Sequence, residues 1–278
     1  MNTCVCILMA TYNSEKYLEA QIDSIINQTY DNWKLIIRDD LSKDSTIDIL
    51  NRYVAVYPEK ISLLNNKGLS LGAYKNFYEL LINVDSNYYM FADHDDVWLP
   101  EKIEISMNEM KKIENIFKGK PIVVHTDMKV VDQSLNIISD SFWHYSKLLP
   151  NHVSFEELVL CNSVNGCTML FNKRAKDVSV NNVGYSTMHD RMIAQSVAAN
   201  DGMILSISAP TVLYRQHSDN VVGAQQMGIL FYLRKLFGLG HVIKNNIENF
   251  KNANKIHRYS ITCYIFTKIK ILYYKAKK

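Results

Sequence analysis

The chain has 278 residues, 47% of them hydrophobic, enough for one large α/β domain or one domain with an appendage. Five scattered cysteines (Cys4, Cys6, Cys161, Cys167 and Cys263) fit neither a disulfide framework nor a zinc site, so a reducing cytoplasm is expected. The formal net charge of +3 hides a division. Residues 1–224 carry 20 Lys and Arg against 27 Asp and Glu, whereas residues 225–278 carry 11 against the single Glu248. An acidic body therefore precedes a basic, apolar tail, an asymmetry that points to a polyanionic partner, either a membrane surface or nucleic acid.

Residues 3–10 form a near-continuous apolar run, as in a parallel strand buried on both faces, and no leader segment is expected before it. Tyr17, Leu18, Ile22, Ile25 and Ile26 have helical spacing, with Ser14 as the expected cap. A second strand, 33–38, ends in Asp39-Asp40, and Asp44-Ser45-Thr46 opens the next helix. A short strand over 61–64 precedes Gly68, Gly72 and a helix over 73–84; a fourth strand, 88–92, follows. This alternation predicts a parallel sheet with helices on both faces, whose ligands bind outside the carboxyl ends of the strands. Further on, the pattern predicts a helix over 101–117, a strand over 121–125 and irregular structure over 130–160. It then predicts a strand over 167–171 and a helix over 188–200.

The fourth strand runs into Asp93-His94-Asp95-Asp96-Val97-Trp98. Carboxylates crowded this closely repel one another and are costly to desolvate, and a divalent cation with oxygen ligands offsets that cost. The plain alternative is a solvated loop capping the helix that begins near Pro100. An EF-hand fits poorly, because Trp98 stands where the turn glycine belongs and the distal Glu is missing.

Three segments, Met9-Ala10-Thr11-Tyr12-Asn13, Arg38 to Thr46 and Asp93 to Trp98, resemble family 2 glycosyltransferases with the GT-A fold. Asn165 to Asn172, Met188-His189-Asp190-Arg191 and Tyr214 to Gly223 resemble the rhamnosyltransferase-like branch that builds bacterial surface polysaccharides. The resemblance covers residues 3–223. It implies an α/β, Rossmann-like, mainly parallel sheet flanked by helices as a catalytic domain over 1–224. It says little about residues 225–278, where helical periodicity in a composition rich in Ile, Leu, Phe, Tyr and Lys predicts a basic amphipathic helical extension.

The resemblance also implies an inverting transfer from a nucleoside-diphosphate sugar, dTDP-rhamnose or a UDP-hexose, to a glycan or lipid-linked glycan. Mn2+ or Mg2+ would be held by Asp95 and His217. Ala10, Tyr12, Asp40, Lys75 and Asp93 would bind the donor, with Tyr12 stacked on the base and Asp40 accepting from its ring N–H. Asp190 is the implied general base, and His189 would orient it or bind acceptor. Two other readings compete. A nucleotidyltransferase would carry a glycine-rich basic loop after the first strand, and Thr11-Tyr12-Asn13-Ser14-Glu15 has no glycine. A non-catalytic glycan-binding subunit would not need Asp95, Asp190 and His217 together.

No stretch of the tail reaches the roughly 18–20 apolar residues that span a bilayer; Lys268 and Lys270 interrupt Ile261 to Tyr274. Its charges alternate with Ile, Leu, Phe and Tyr, both there and over Ile229 to Phe237, which fits a lipid interface better than nucleic acid. The expectation is a cytoplasmic protein peripheral at the inner face of the cell membrane. The alternatives for the tail are packing on its own body and forming a homodimer.

Overall fold

The first strand, β1 (Val5–Thr11), is buried along its whole length, and its side chains divide between two cores. Val5, Ile7 and Met9 join one; Cys6, Leu8 and Ala10 join the other. This is the period of two that a strand imposes. The computed structural model describes residues 3–185, 188–217 and 239–277. The elements after β1 are α1 (Leu18–Ile26), β2 (Trp33–Asp39), α2 (Thr46–Val56), β3 (Ile61–Leu63), α3 (Ala73–Asn83) and β4 (Tyr88–Ala92). β1 pairs in parallel with β2 and β4, and β2 with β3, so three of these strands deliver their carboxyl ends to one edge beside β1.

The second half is mixed. It comprises β5 (Val97–Trp98), α4 (Lys102–Ile116), β6 (Ile122–Val131), β7 (Ile137–Ser139), α5 (Phe142–Tyr145) and α6 (Phe155–Leu160). A 3-10 turn over Gly166–Thr168 leads to β8 (Met169–Asn172), then α7 (Lys173–Val180), α8 (His189–Ala199) and β9 (Met203–Arg215). The sheet order is β3-β2-β1-β4-β8-β6-β9-β5, with β7 alongside β6. β8 runs antiparallel to both β4 and β6, while β6 and β9 are parallel. Asn172 secures the junction. Its carboxamide oxygen accepts from the Ala175 amide, capping α7, and from the Ile122 amide at 3.0 Å, anchoring β6. One core lies between the sheet and α1, α2 and α4; the other lies between the sheet and α3, α7 and α8. A buried leucine such as Leu18, truncated to alanine, costs about 2–5 kcal/mol in such a core.

Ser14 does not cap α1. The helix begins at Leu18, and Ser14 instead accepts from the Tyr12 amide, shaping the loop after β1. The stretch expected to be irregular holds β7, α5 and α6. The last of these is opened by a capping box in which Ser154 and Glu157 satisfy each other's backbone.

The tail contributes α9 (Leu239–Ile256) and α10 (Ile261–Ala276), the latter coinciding with the expected Ile261 to Tyr274 segment. Ile229 to Phe237 and the boundary at residue 224 lie outside the described residues. Ala253 and Tyr264 pack with Phe155 and Val159 of α6, and Ala198 and Ala199 at the end of α8 border the same cluster. Lys270 reaches Glu157 at 2.9 Å, and His152, which also bonds Glu157, lies against the Tyr274 ring at 4.6 Å. One face of α10 is thus tied to the body. None of the described helices is long and apolar enough to cross a membrane.

Candidate active site

The carboxyl ends of β1 and β2 meet in a network of buried charge. Thr11 Oγ1 donates to Asp39 at 2.9 Å, and the Ser42 amide and hydroxyl close on the same carboxylate. Asp40 is more fully engaged. Its oxygens accept from Arg38, the Ser70 hydroxyl and the Leu71 and Gly72 amides, over 2.7–3.1 Å. Burial raises its pKa, but these four bonds outweigh burial and hold it below the usual aspartate value. Arg38 is itself buried, bonded also to Asn76 and to the carbonyls of Asn66 and Leu69. Asp40 therefore clamps the loop that leads into α3, and a nucleobase N–H at this carboxylate would have to replace one of those donors. Tyr12, on the loop beside it, is half-exposed. Ala10 is buried, its carbonyl 3.4 Å from His94 Nδ1, and Lys75 is exposed in the first turn of α3.

At the end of β4 the balance is different. Asp96 is fully buried; one oxygen accepts from the Arg215 amide at 3.2 Å, and Oδ2 has no hydrogen-bond partner among the described residues. Burial, then Asp95 and Asp93, push its carboxyl well above the ordinary range. Burial, with the charges of Asp95 and Asp190, pushes Asp93 up to about 7. Asp95 Oδ2 pairs with His217 Nε2 at 2.9 Å, bringing together two residues 122 positions apart. Arg215 braces this pair, donating from Nε to the Asp95 carbonyl at 2.8 Å while its guanidinium lies over the Tyr17 ring. Tyr17 also lies 4.9 Å from the His217 ring.

Donor atoms of Asp93, Asp96 and Cys167 lie within 4.8 Å of one another. The unpartnered Asp96 oxygen and the raised Asp93 fit a hard divalent cation such as Mn2+ or Mg2+, which carboxylates bind well. Cys167 fits less well. Burial and the neighbouring carboxylates push its thiol well above its usual value, leaving a protonated sulfur instead of a thiolate ligand. Beneath the cluster lies Lys102, fully buried over the Trp98 ring at 4.8 Å; burial lowers its pKa to about 8.

Asp190 stands in the first turn of α8 and is largely buried, and its charge is felt at Asp93. His189 is a core residue. Its ring stacks on Phe77 at 4.1 Å and meets Phe91 edge-on at 4.6 Å, and burial lowers its pKa. A Cβ at position 166 would come within 2.6 Å of His189 Nε2, so glycine there lets the imidazole sit against the backbone. That packing fixes where α8 starts and hence where Asp190 stands.

Arg215, Tyr17, Lys102 and Cys167 join the site without having been singled out from the sequence. Arg215 had a signal, standing two residues before His217. Lys102 had none, because a lysine opening a helix ordinarily faces water.

Residues 6–175 match the family described as Glycosyl transferase family 2. The dTDP-rhamnosyl transferase RfbG of Shigella flexneri is 29% identical over 237 residues, covering 78% of this chain and 74% of that protein. WfgD of Escherichia coli, a UDP-Glc:alpha-D-GlcNAc-diphosphoundecaprenol beta-1,3-glucosyltransferase, is 33% identical over 147 residues, covering 53% of this chain and 55% of its own length. Among solved structures, S. aureus TarS 1-349 in complex with UDP superposes with a TM-score of 0.56 at 18% identity, covering 76% of this chain and 60% of TarS 1-349. The mannosyltransferase PcManGT of Pyrobaculum calidifontis, in complex with GDP-Man and Mn2+, gives a TM-score of 0.51 at 14% identity, covering 100% and 75%. The strand order, the acidic loop at the end of β4 and the extent of these matches lead to one conclusion: the chain belongs to glycosyl transferase family 2 and has the GT-A fold.

Proposed function

We propose that this chain is an inverting, metal-dependent transferase that moves a sugar from a nucleoside-diphosphate donor to a hydroxyl of a bacterial surface glycan. The observation that supports it best is convergence. Tyr12, Asp40, Asp93 to Asp96 and His217 arrive from four different strand ends at one edge, and Asp190 comes from a helix start close enough to influence Asp93. In this reading Tyr12 stacks on the base, Asp40 shapes the base pocket or accepts from the ring N–H, and Lys75 and the Ala10 backbone line the nucleotide. Asp95 and His217 would hold the cation, beside Asp93, which would face the ribose, and the open oxygen of Asp96. When bound, the cation supplies counter-charge for the departing diphosphate.

Asp190 accepts the proton of the acceptor hydroxyl as its oxygen attacks the anomeric carbon. The bond from that carbon to the phosphate oxygen breaks, and the diphosphate leaves with the electron pair. A single carboxylate base and no enzyme nucleophile give inversion in one step. We place dTDP-rhamnose first among donors, because RfbG carries that activity in its name, and UDP-hexoses next. WfgD, whose name specifies a diphosphoundecaprenol acceptor, supports a lipid-linked glycan here. Residues 225–278 would hold the enzyme at the inner face of the cell membrane to reach it. Calorimetry against dTDP, UDP and GDP, with and without Mn2+, tests the reading: dTDP or UDP binding that needs the metal is expected. Absence of binding to every nucleotide would overturn it.

A further inference from the structure

The two faces of α10 have opposite surroundings. Tyr264 and Ile271 are buried against the body. Ile261, Ile265, Ile269 and Leu272 recur at the spacing of one helix face, and Phe266 and Tyr273 widen that face into a single arc. All six are more than half exposed. At about 100° per residue, Lys268 and Lys275 border one edge of the arc, and Lys270 and Lys277 border the other. The helix contains no Asp or Glu.

We propose that this arc inserts into an anionic lipid leaflet. α10 lies in the plane of the interface, its apolar side chains among the acyl chains, while Lys268, Lys275 and Lys277 reach back to anionic headgroups and Lys270 stays paired with Glu157. The inference rests on the membrane-associated reading above and narrows it to one helix face. Charge selects this occupant over the others. A second copy seated arc to arc would set lysines against lysines, since α10 has no acid of its own, and nucleic acid would leave the apolar arc uncovered. α8 connects the lipid-facing unit to the chemistry. Asp190 lies in the first turn of that helix, and Ala198 and Ala199 at its far end pack into the cluster that seats α9 and α10.

The test uses the full chain with vesicles of phosphatidylglycerol and phosphatidylcholine in equal parts, against phosphatidylcholine alone. Trp33, Trp98 and Trp143 are all buried, so a tryptophan introduced by Phe266→Trp reports on the arc. We expect co-sedimentation with the anionic vesicles only, and quenching of the new tryptophan by lipids brominated on their acyl chains. The triple variant Ile265→Glu, Ile269→Glu, Leu272→Glu should bind about tenfold less or weaker still, with unchanged circular dichroism and dTDP or UDP binding. Vesicle binding without quenching would overturn the inserted face while leaving attachment by charge alone. No binding by the full chain would overturn both. A vesicle-free dimer that the triple variant converts to monomer would show a second copy to be the occupant and would also overturn the proposal.

Discussion

Asp40 and Asp96 stand at the ends of two strands of one sheet, both almost wholly buried, and their carboxyls are driven in opposite directions. Asp40 has four strong donors and is held low; Asp96 has the Arg215 amide and the weak Cys167 thiol, with Oδ2 left open among the described residues, and is pushed high. The fold offsets the first charge with its own atoms and leaves the second for something else to offset. A buried acid with complete partners is structural, whereas one lacking them marks a place where a ligand completes the molecule. The same logic in reverse applies to α10, where apolar surface, not charge, lacks a partner.

The largest effects should come where completion depends on a ligand. Asp95→Ala should reduce transfer by roughly 10³ or more, mainly in kcat, and EDTA should silence the wild type until Mn2+ or Mg2+ is returned. Nucleotide release assayed with and without chelator measures this, and full activity in EDTA would remove the metal from the account. Asp190→Asn should leave nucleotide binding intact and slow transfer by roughly 10² or more. Turnover within a few-fold of wild type would give the base role to another residue, and NMR of the product should show the anomer inverted relative to the donor.

Stability separates the two buried acids directly. Asp40→Ala strands the buried Arg38 and should cost about 3–5 kcal/mol. Asp96→Asn in metal-free protein relieves repulsion with Asp93 and Asp95 and should cost less than about 1 kcal/mol. Urea denaturation of both variants decides the matter, and equal losses would break the contrast drawn above.

The smallest expected effect lies at Glu157. Burial alone would raise its pKa, but hydrogen bonds from His152, Lys270 and the Ser154 backbone leave it below the ordinary glutamate value. Its folded pKa is depressed, so its contribution is present above the unfolded value near 4.5 and is lost as pH falls through the folded one. Glu157→Gln should flatten that acid dependence of stability, measured as Tm against pH.

Much of the fold was legible because pattern and burial coincide. Residues 3–10 read as a doubly buried strand, and Ile261 to Tyr274 as a helix, from apolar spacing alone. β9 is half-buried along most of its length, and its pairing with β6 shifts register around Pro210, so it shows neither a clean alternation nor an apolar run. α7 is polar almost throughout and is set by the Asn172 cap rather than by periodicity. The acidic loop was legible as local chemistry. Lys102 and Cys167 were not, because their character comes from burial that exists only after β4, β8 and α4 have packed together.

The contact between Gly166 and His189 constrains the order in which this site can change over descent. A side chain at position 166 collides with the imidazole while His189 is present, so Gly166→Ala arising first is penalised both in folding and in the placement of Asp190. Replacement of His189 by a smaller residue removes this collision and lowers the barrier to a side chain at position 166. The two positions should therefore drift as a pair, histidine first. A lineage that keeps the histidine keeps the glycine, so the site can inherit a restriction from the sequence of past substitutions as well as from its chemistry.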